Sequence, residues 1–371
     1  MLSALLALLS SFSFAAWDLN DLSILMPLPA NGEEQLMLHA RSPGQGGVLM
    51  PPPVYEALPG IVVGGDKQAI YERFLKVVAV RIDPCFAEGT APRNCLRQIR
   101  LVWQPLKAAP NGWSTHDAAI HTFHVLDENQ WSSLLTSLRE LKTKGFLATG
   151  LPLQVHPVLR AQGYRGPYWK ELSRLLLSFC GPQNLWRATA MTVNPMGNVW
   201  VFTGFNVNQG QLQRIQIARL QRPAQSVFVN IRDVSEFIMD ISPAPENEIP
   251  LLTLVRDSKT AQKVKPEAEI AEAVRRAVIF ENPRLHNPGT LDCASCHIAR
   301  NVGLWAQERY PRWSWNQLFG KELYRGPGQL SNTTRQNRRV DALRAFGYFE
   351  KDPIISQRVI NESSASLSVV K

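Results

Sequence analysis

Five residues toward the carboxy-terminal end, Cys293-Ala294-Ser295-Cys296-His297, constrain this 371-residue chain more than any other stretch. Two thiols separated by two residues and followed at once by an imidazole can do three kinds of chemistry. The sulfurs can add across the two vinyl groups of a haem, with the imidazole beneath the iron. They can form a dithiol/disulfide pair, or they can join His286 around a zinc ion. A histidine directly after the second cysteine is specific to the first reading. Haem in turn demands apolar burial close to the motif and a compartment in which covalent attachment takes place, which in bacteria lies outside the cytoplasmic membrane.

The amino terminus bears on that compartment. Residues 1–16 read MLSALLALLSSFSFAA, an apolar run too short to span a bilayer comfortably, with Ser13 and Ala15 suited to a signal-peptidase site. A signal peptide over 1–15 is expected, with a mature chain starting near Ala16 and a periplasmic or secreted location. Its n-region has no Lys or Arg. No later apolar run reaches the length of a transmembrane helix, so no membrane span is expected after signal removal.

Three further cysteines are present. Cys85 and Cys95 stand at the inner ends of two strand-like runs, 74–82 and 98–104, with a Gly/Pro-containing loop between them. An exported chain should join them in a disulfide worth about 3 kcal/mol on the loop-entropy estimate. Cys180 ends an apolar-faced helix just before Gly181 and reads as a buried free thiol.

Along the chain the pattern is α+β: an antiparallel, β-rich body with a few helices, followed by a mostly helical carboxy-terminal segment. Residues 16–66, rich in Pro and Gly, should form an extended arm over the body. The body, 67–262, should carry strands at 118–126, 185–193, 199–205 and 211–220. Its helices are expected from Glu128, with Asp127 and Gln130 as a capping box, and over 168–180. The stretch 234–264 shows no clear period, and the polar run 258–265 marks a candidate boundary. Within 263–371, helices are expected from Pro266, over 340–349 and over 353–369 with Asp352 as N-cap. No dinucleotide or phosphate-binding fingerprint and no repeat is present.

The motif resembles that of the c-type cytochromes, and the resemblance places Cys293 and Cys296 at the thioether positions and His297 at the proximal iron position. The last hundred residues, mostly helical with the motif near the end of their first helical element, look like a class I cytochrome c. One covalent haem c and electron transfer are what the resemblance implies. The chain departs from that family in having no methionine and no further histidine after His297. A sixth ligand must then come from upstream (His286, Met239, Met196, Met191 or His156) or be absent. His286 is the preferred candidate, because the seven residues before Cys293 can extend about 24 Å, enough to pass round a haem edge. A vacant sixth position would favour peroxidase or gas-binding chemistry instead. The competing class is an exported binding or structural protein whose motif is a disulfide or zinc site.

The formal charge is +9, and the residues from Cys293 onward hold 12 Lys+Arg against 6 Asp+Glu. In an exported chain that balance points away from nucleic acid. The tail arginines (Arg300, Arg309, Arg312, Arg325, Arg335, Arg338, Arg339, Arg344) are assigned to solvated surface, haem propionates or an acidic redox partner. His121 and His124 alternate to opposite faces of a strand and should not chelate one ion, with His116 nearby. Trp305, Trp313 and Trp315 are expected to wall a haem pocket.

Overall fold

The computed structural model describes residues 16–87, 95–110, 112–145, 150–194, 196–233, 236–334, 343 and 345–370. The expected signal segment lies outside them.

Eight strands run in sequence order across one sheet, each antiparallel to the next: Ser23–Leu25, Leu75–Ala87, Cys95–Ala109, Ala119–Val125, Leu185–Val193, Val199–Asn208, Ala224–Asp233 and Glu236–Ser242. Two short strands, Gly112–Thr115 and Gln211–Arg214, hang from this path. Helices flank the sheet, so the fold is α+β. Among the described residues no helix is long and apolar enough to cross a membrane.

Strand alternation gives the sheet two chemically different faces. On one, Ile99, Leu101, Trp103, Ile120 and Ala188 share a buried apolar cluster with Leu134, Leu138, Trp169, Leu172 and Leu176. Those last five come from helices Glu128–Gly145 and Pro167–Phe179. The first of these helices starts as its sequence dictates: Gln130 donates its backbone N–H to Asp127 Oδ1 at 2.8 Å, and Asp127 N–H reaches Gln130 Oε1 at 3.1 Å. On the other face the far half of the sheet is apolar. Trp200, Val227, Val229, Met239 and Ile241 cluster there with helices Ile249–Arg256, Glu267–Phe280 and Cys293–Arg309. The near half of that same face is polar, and it forms the floor of a cavity.

Several expectations are corrected. The 16–66 arm has little regular structure, but it is not merely laid over the body. Leu19, Leu22, Ile24, Leu25 and Met26 are each at most 1% exposed, and Ser23–Leu25 is the edge strand of the sheet. The strand expected over 211–220 stops at Arg214, where the chain turns through Arg219 and Gln221, both at positive φ. The unplaced stretch 234–264 supplies the last strand and two helices, the second of them (Ser258–Val264) occupying the polar run read as a boundary. Asp257 caps it, accepting from Thr260 N–H at 2.9 Å. Where a helix was expected over 340–349, Phe346–Phe349 is a strand paired with Asp352–Ile355. The helix that follows is Gln357–Leu367, capped by Ser356 rather than Asp352. Most of 340–345 lies outside the described residues.

The Cys85–Cys95 disulfide is formed across the mouth of the first long hairpin. Cys180 is a buried free thiol at the end of helix Pro167–Phe179. The glycine after it is required by packing, since a Cβ on Gly181 would stand 2.3 Å from the Gln45 carbonyl oxygen.

Candidate functional site

The motif opens the helix Cys293–Arg309, and its start is fixed twice over. Asp292, fully buried, caps the helix by accepting from Ser295 N–H at 3.0 Å. Gln225, in the strand Ala224–Asp233, donates from Nε2 to Asp292 Oδ1 at 2.8 Å and accepts from Ala294 N–H on Oε1 at 2.8 Å. A buried amide in the sheet thus holds both the cap and the first turn, which sets the rotation of the helix about its axis.

That rotation puts Cys293, Cys296 and His297 on one stripe, because positions i, i+3 and i+4 share a helix face. All three border a cavity of about 480 Å³. The cavity lies within the size range of cofactor pockets. His297 donates from Nδ1 to the Leu343 carbonyl, and its ring packs on Phe202 with centroids 4.7 Å apart. With Nδ1 so engaged, Nε2 is the nitrogen left for a metal, the arrangement by which proteins fix a ligating tautomer.

The floor is the polar half of the sheet, and its residues fall into rows set by strand register. One row runs Arg81, Arg100, Phe123, Arg187, Asn206. The next includes His121 and Thr189, and a third Ala119, Met191, Phe202 and Gln225. Gln225 and Phe202, the residues that seat the motif helix, are therefore neighbours in one row. Helix Gln357–Leu367 closes the opposite side with Arg358, Val359 and Glu362.

Charge is concentrated here. Arg81 bonds Glu362 and, at 2.9 Å, Asp83; Arg100 reaches Asp83 at 3.1 Å; Arg358 Nε donates to Glu362 at 2.6 Å. Three guanidiniums face two carboxylates, leaving one positive charge in excess. Burial works to raise the Glu362 carboxyl, but Arg358, Arg81 and Arg100 together hold it well below the usual carboxylate range. The Nε atoms of Arg81 and Arg100 are buried and lack a hydrogen-bond partner. A cationic, incompletely bonded floor beside an apolar wall suits a large, flat, mostly apolar group with acidic substituents at one edge, as haem with its propionates has.

The two motif thiols are separate and unpaired. Burial, reinforced by Asp292, pushes Cys293 up to about 12, and burial pushes Cys296 up to about 11. Both are favoured as neutral thiols in this protein environment. Among the described residues no three His, Cys, Asp or Glu side chains converge as a metal cluster.

The structure redistributes the other candidates. His286 does not border the cavity; its Nδ1 lies 3.3 Å from Thr290 Oγ1 and its ring meets Phe280 edge-on. Of the remaining sixth-ligand candidates only Met191 borders the cavity. Met239 is buried among the helices of the apolar half, Met196 is 79% exposed, and His156 caps helix Pro157–Gln162. The tryptophans are not pocket walls. Trp305 lies eight residues past His297, about 12 Å of helical rise, and meets Tyr310 edge-on, from which a chain of ring contacts runs through Trp313 and Phe319 to Trp315. The arginines at the cavity are Arg81, Arg100, Arg187, Arg214 and Arg358 rather than the tail residues singled out in the sequence. Of those, Arg335, Arg338, Arg339 and Arg344 lie outside the described residues. His121, set aside as a strand residue, does border the cavity, and burial, with Arg100 and His297 adding, pulls it down to about 3.

No protein-family model, curated protein or solved structure matches the chain.

Proposed function

We propose that the chain is an exported monohaem c-type protein, with haem c held covalently by Cys293 and Cys296 and its iron ligated by His297, serving electron transfer. The observation that carries this reading is the common opening of those three side chains into one cavity large enough for a cofactor. Bound haem would supply a one-electron iron couple in a largely buried setting. The chain's own residues orient and insulate. Leu343 fixes the tautomer of His297, Phe202 braces its ring, and Gln225 with Asp292 holds the turn that presents both sulfurs. The arginine row would take the propionates as charge-assisted pairs. With a formal charge of +9, the surface suits an acidic redox partner in the periplasm or outside the cell.

The test is a pyridine haemochrome spectrum of denatured protein exported from a host with c-type maturation. One covalent haem per chain is expected, and none when Cys293 and Cys296 are both changed to Ala. A wild-type protein without covalent haem would overturn the reading.

A further inference from the structure

We propose that His121 is the second axial ligand of the iron, reaching it from the sheet while His297 reaches it from the helix. The inference rests on the haem reading above and names the group that completes the coordination.

Three observations carry it. First, His121 borders the same cavity as Cys293, Cys296 and His297, but from another element, the strand Ala119–Val125. Second, among the described residues nothing hydrogen-bonds either nitrogen of its ring, whose contact is an edge-on one with Phe123 at 6.3 Å. The rings of His124, His156 and His286 are hydrogen-bonded, and His39, which has an unpartnered Nδ1, does not border this cavity. A half-buried imidazole with no partner, turned toward a cavity, is a ligand in waiting.

Third, register gives the spacing. His121 pairs with Thr189, which pairs with Gly204, and Gly204 lies two residues from Phe202 on the same face. Two strand spacings and two residues put the Cα of His121 about 12 Å from that of Phe202, the residue on which His297 packs. His121 and His297 thus border the cavity from two elements, with that spacing between the strand residue and the residue His297 rests on, and the two imidazoles could hold one ion between them. Met191 does not have this placement. It pairs directly with Phe202, so it lies only one strand from the residue bracing His297.

The experiment is ferric electron paramagnetic resonance and absorption spectroscopy of the full-length holoprotein, with covalent haem quantified in each sample. Wild type should be low-spin. His121→Ala should keep one covalent haem, lose at least nine-tenths of the low-spin signal, and regain it on adding imidazole, which a purely structural defect would not allow. Met191→Leu and His286→Ala should stay low-spin. As a second variant, His121→Met should remain six-coordinate with a raised midpoint potential. A high-spin wild type, or a low-spin spectrum that persists in His121→Ala, overturns the ligand assignment while leaving the haem in place. Wild type without covalent haem instead overturns the reading beneath it.

Discussion

Arg81 follows the run Val77-Val78-Ala79-Val80 and precedes Ile82 in its strand, and it is 3% exposed. A guanidinium in such a place is stable only if it is paired, and Asp83 and Glu362 pair it. Arg100 plays the same part in the neighbouring strand. These two interruptions of apolar runs were the sequence signal for the cavity floor, and the phase of His121 with Ala119 and Phe123 was the signal for its place there. Neither could be read fully without knowing which face was covered. Buried histidines elsewhere give a testable pH dependence. His124 and His156 are both fully buried, and burial pulls each down to about 4. Their unfolded forms take up protons near the ordinary 6.5, so the unfolded chain binds more protons between those values. Stability is then full above about pH 6.5 and falls toward pH 4, by on the order of 3 kcal/mol for each residue. Urea titrations at pH 7 and pH 4 should show the loss, and His156→Gln should flatten the slope. A profile equally steep in that variant would show that other groups dominate.

Elements whose signals are local were legible, and those that depend on distant partners were not. The capping box at Asp127 and Gln130, the hairpin stapled by Cys85 and Cys95, and the turns between the middle strands all lie within a dozen residues of what they organise. The strand Phe346–Phe349 is only four residues long, and what makes it a strand is remote. Tyr348 N–H donates to Gln104 Oε1 at 2.7 Å, across a gap of 244 residues. The clamp on the motif helix is equally non-local. Replacing Gln225 by Leu removes its two bonds to the motif turn, at Asp292 and Ala294, and a third to the Pro243 carbonyl, and leaves Asp292 poorly satisfied. The expected cost is about 2–4 kcal/mol in chemical denaturation. A cost under about 1 kcal/mol would mean that Ser295, with Arg219 Nη1 3.9 Å from Asp292 Oδ2, holds the cap without help. In haem-loaded protein the same substitution should broaden the spectrum of the iron by loosening the turn that carries His297.

At the scale of the whole molecule, the antiparallel α+β pattern was visible in the order of strand-like and helical runs. The closure of the chain on itself was not. Ser23 and Ser363 hydroxyls meet at 2.5 Å, 340 residues apart, and Val359 and Ile360 of the last helix lie in the same apolar cluster as Leu19 and Leu22. The motif helix, for its part, shares a cluster with Trp200, Val227 and Met239 of the sheet. A segment of residues 263–371 expressed alone would expose both of these faces. It should show little cooperative thermal unfolding by circular dichroism, where the full chain shows one steep transition. Cooperative melting of the segment would establish it as an independent unit.

The cavity borders range from Arg81 to Glu362. Such a chamber is finished only when the final helix docks, long after the first strands have emerged. On the proposed reading its two sulfurs would be open to a bulky planar reactant before that helix docks and shut in afterwards, which would make the order of assembly part of the chemistry.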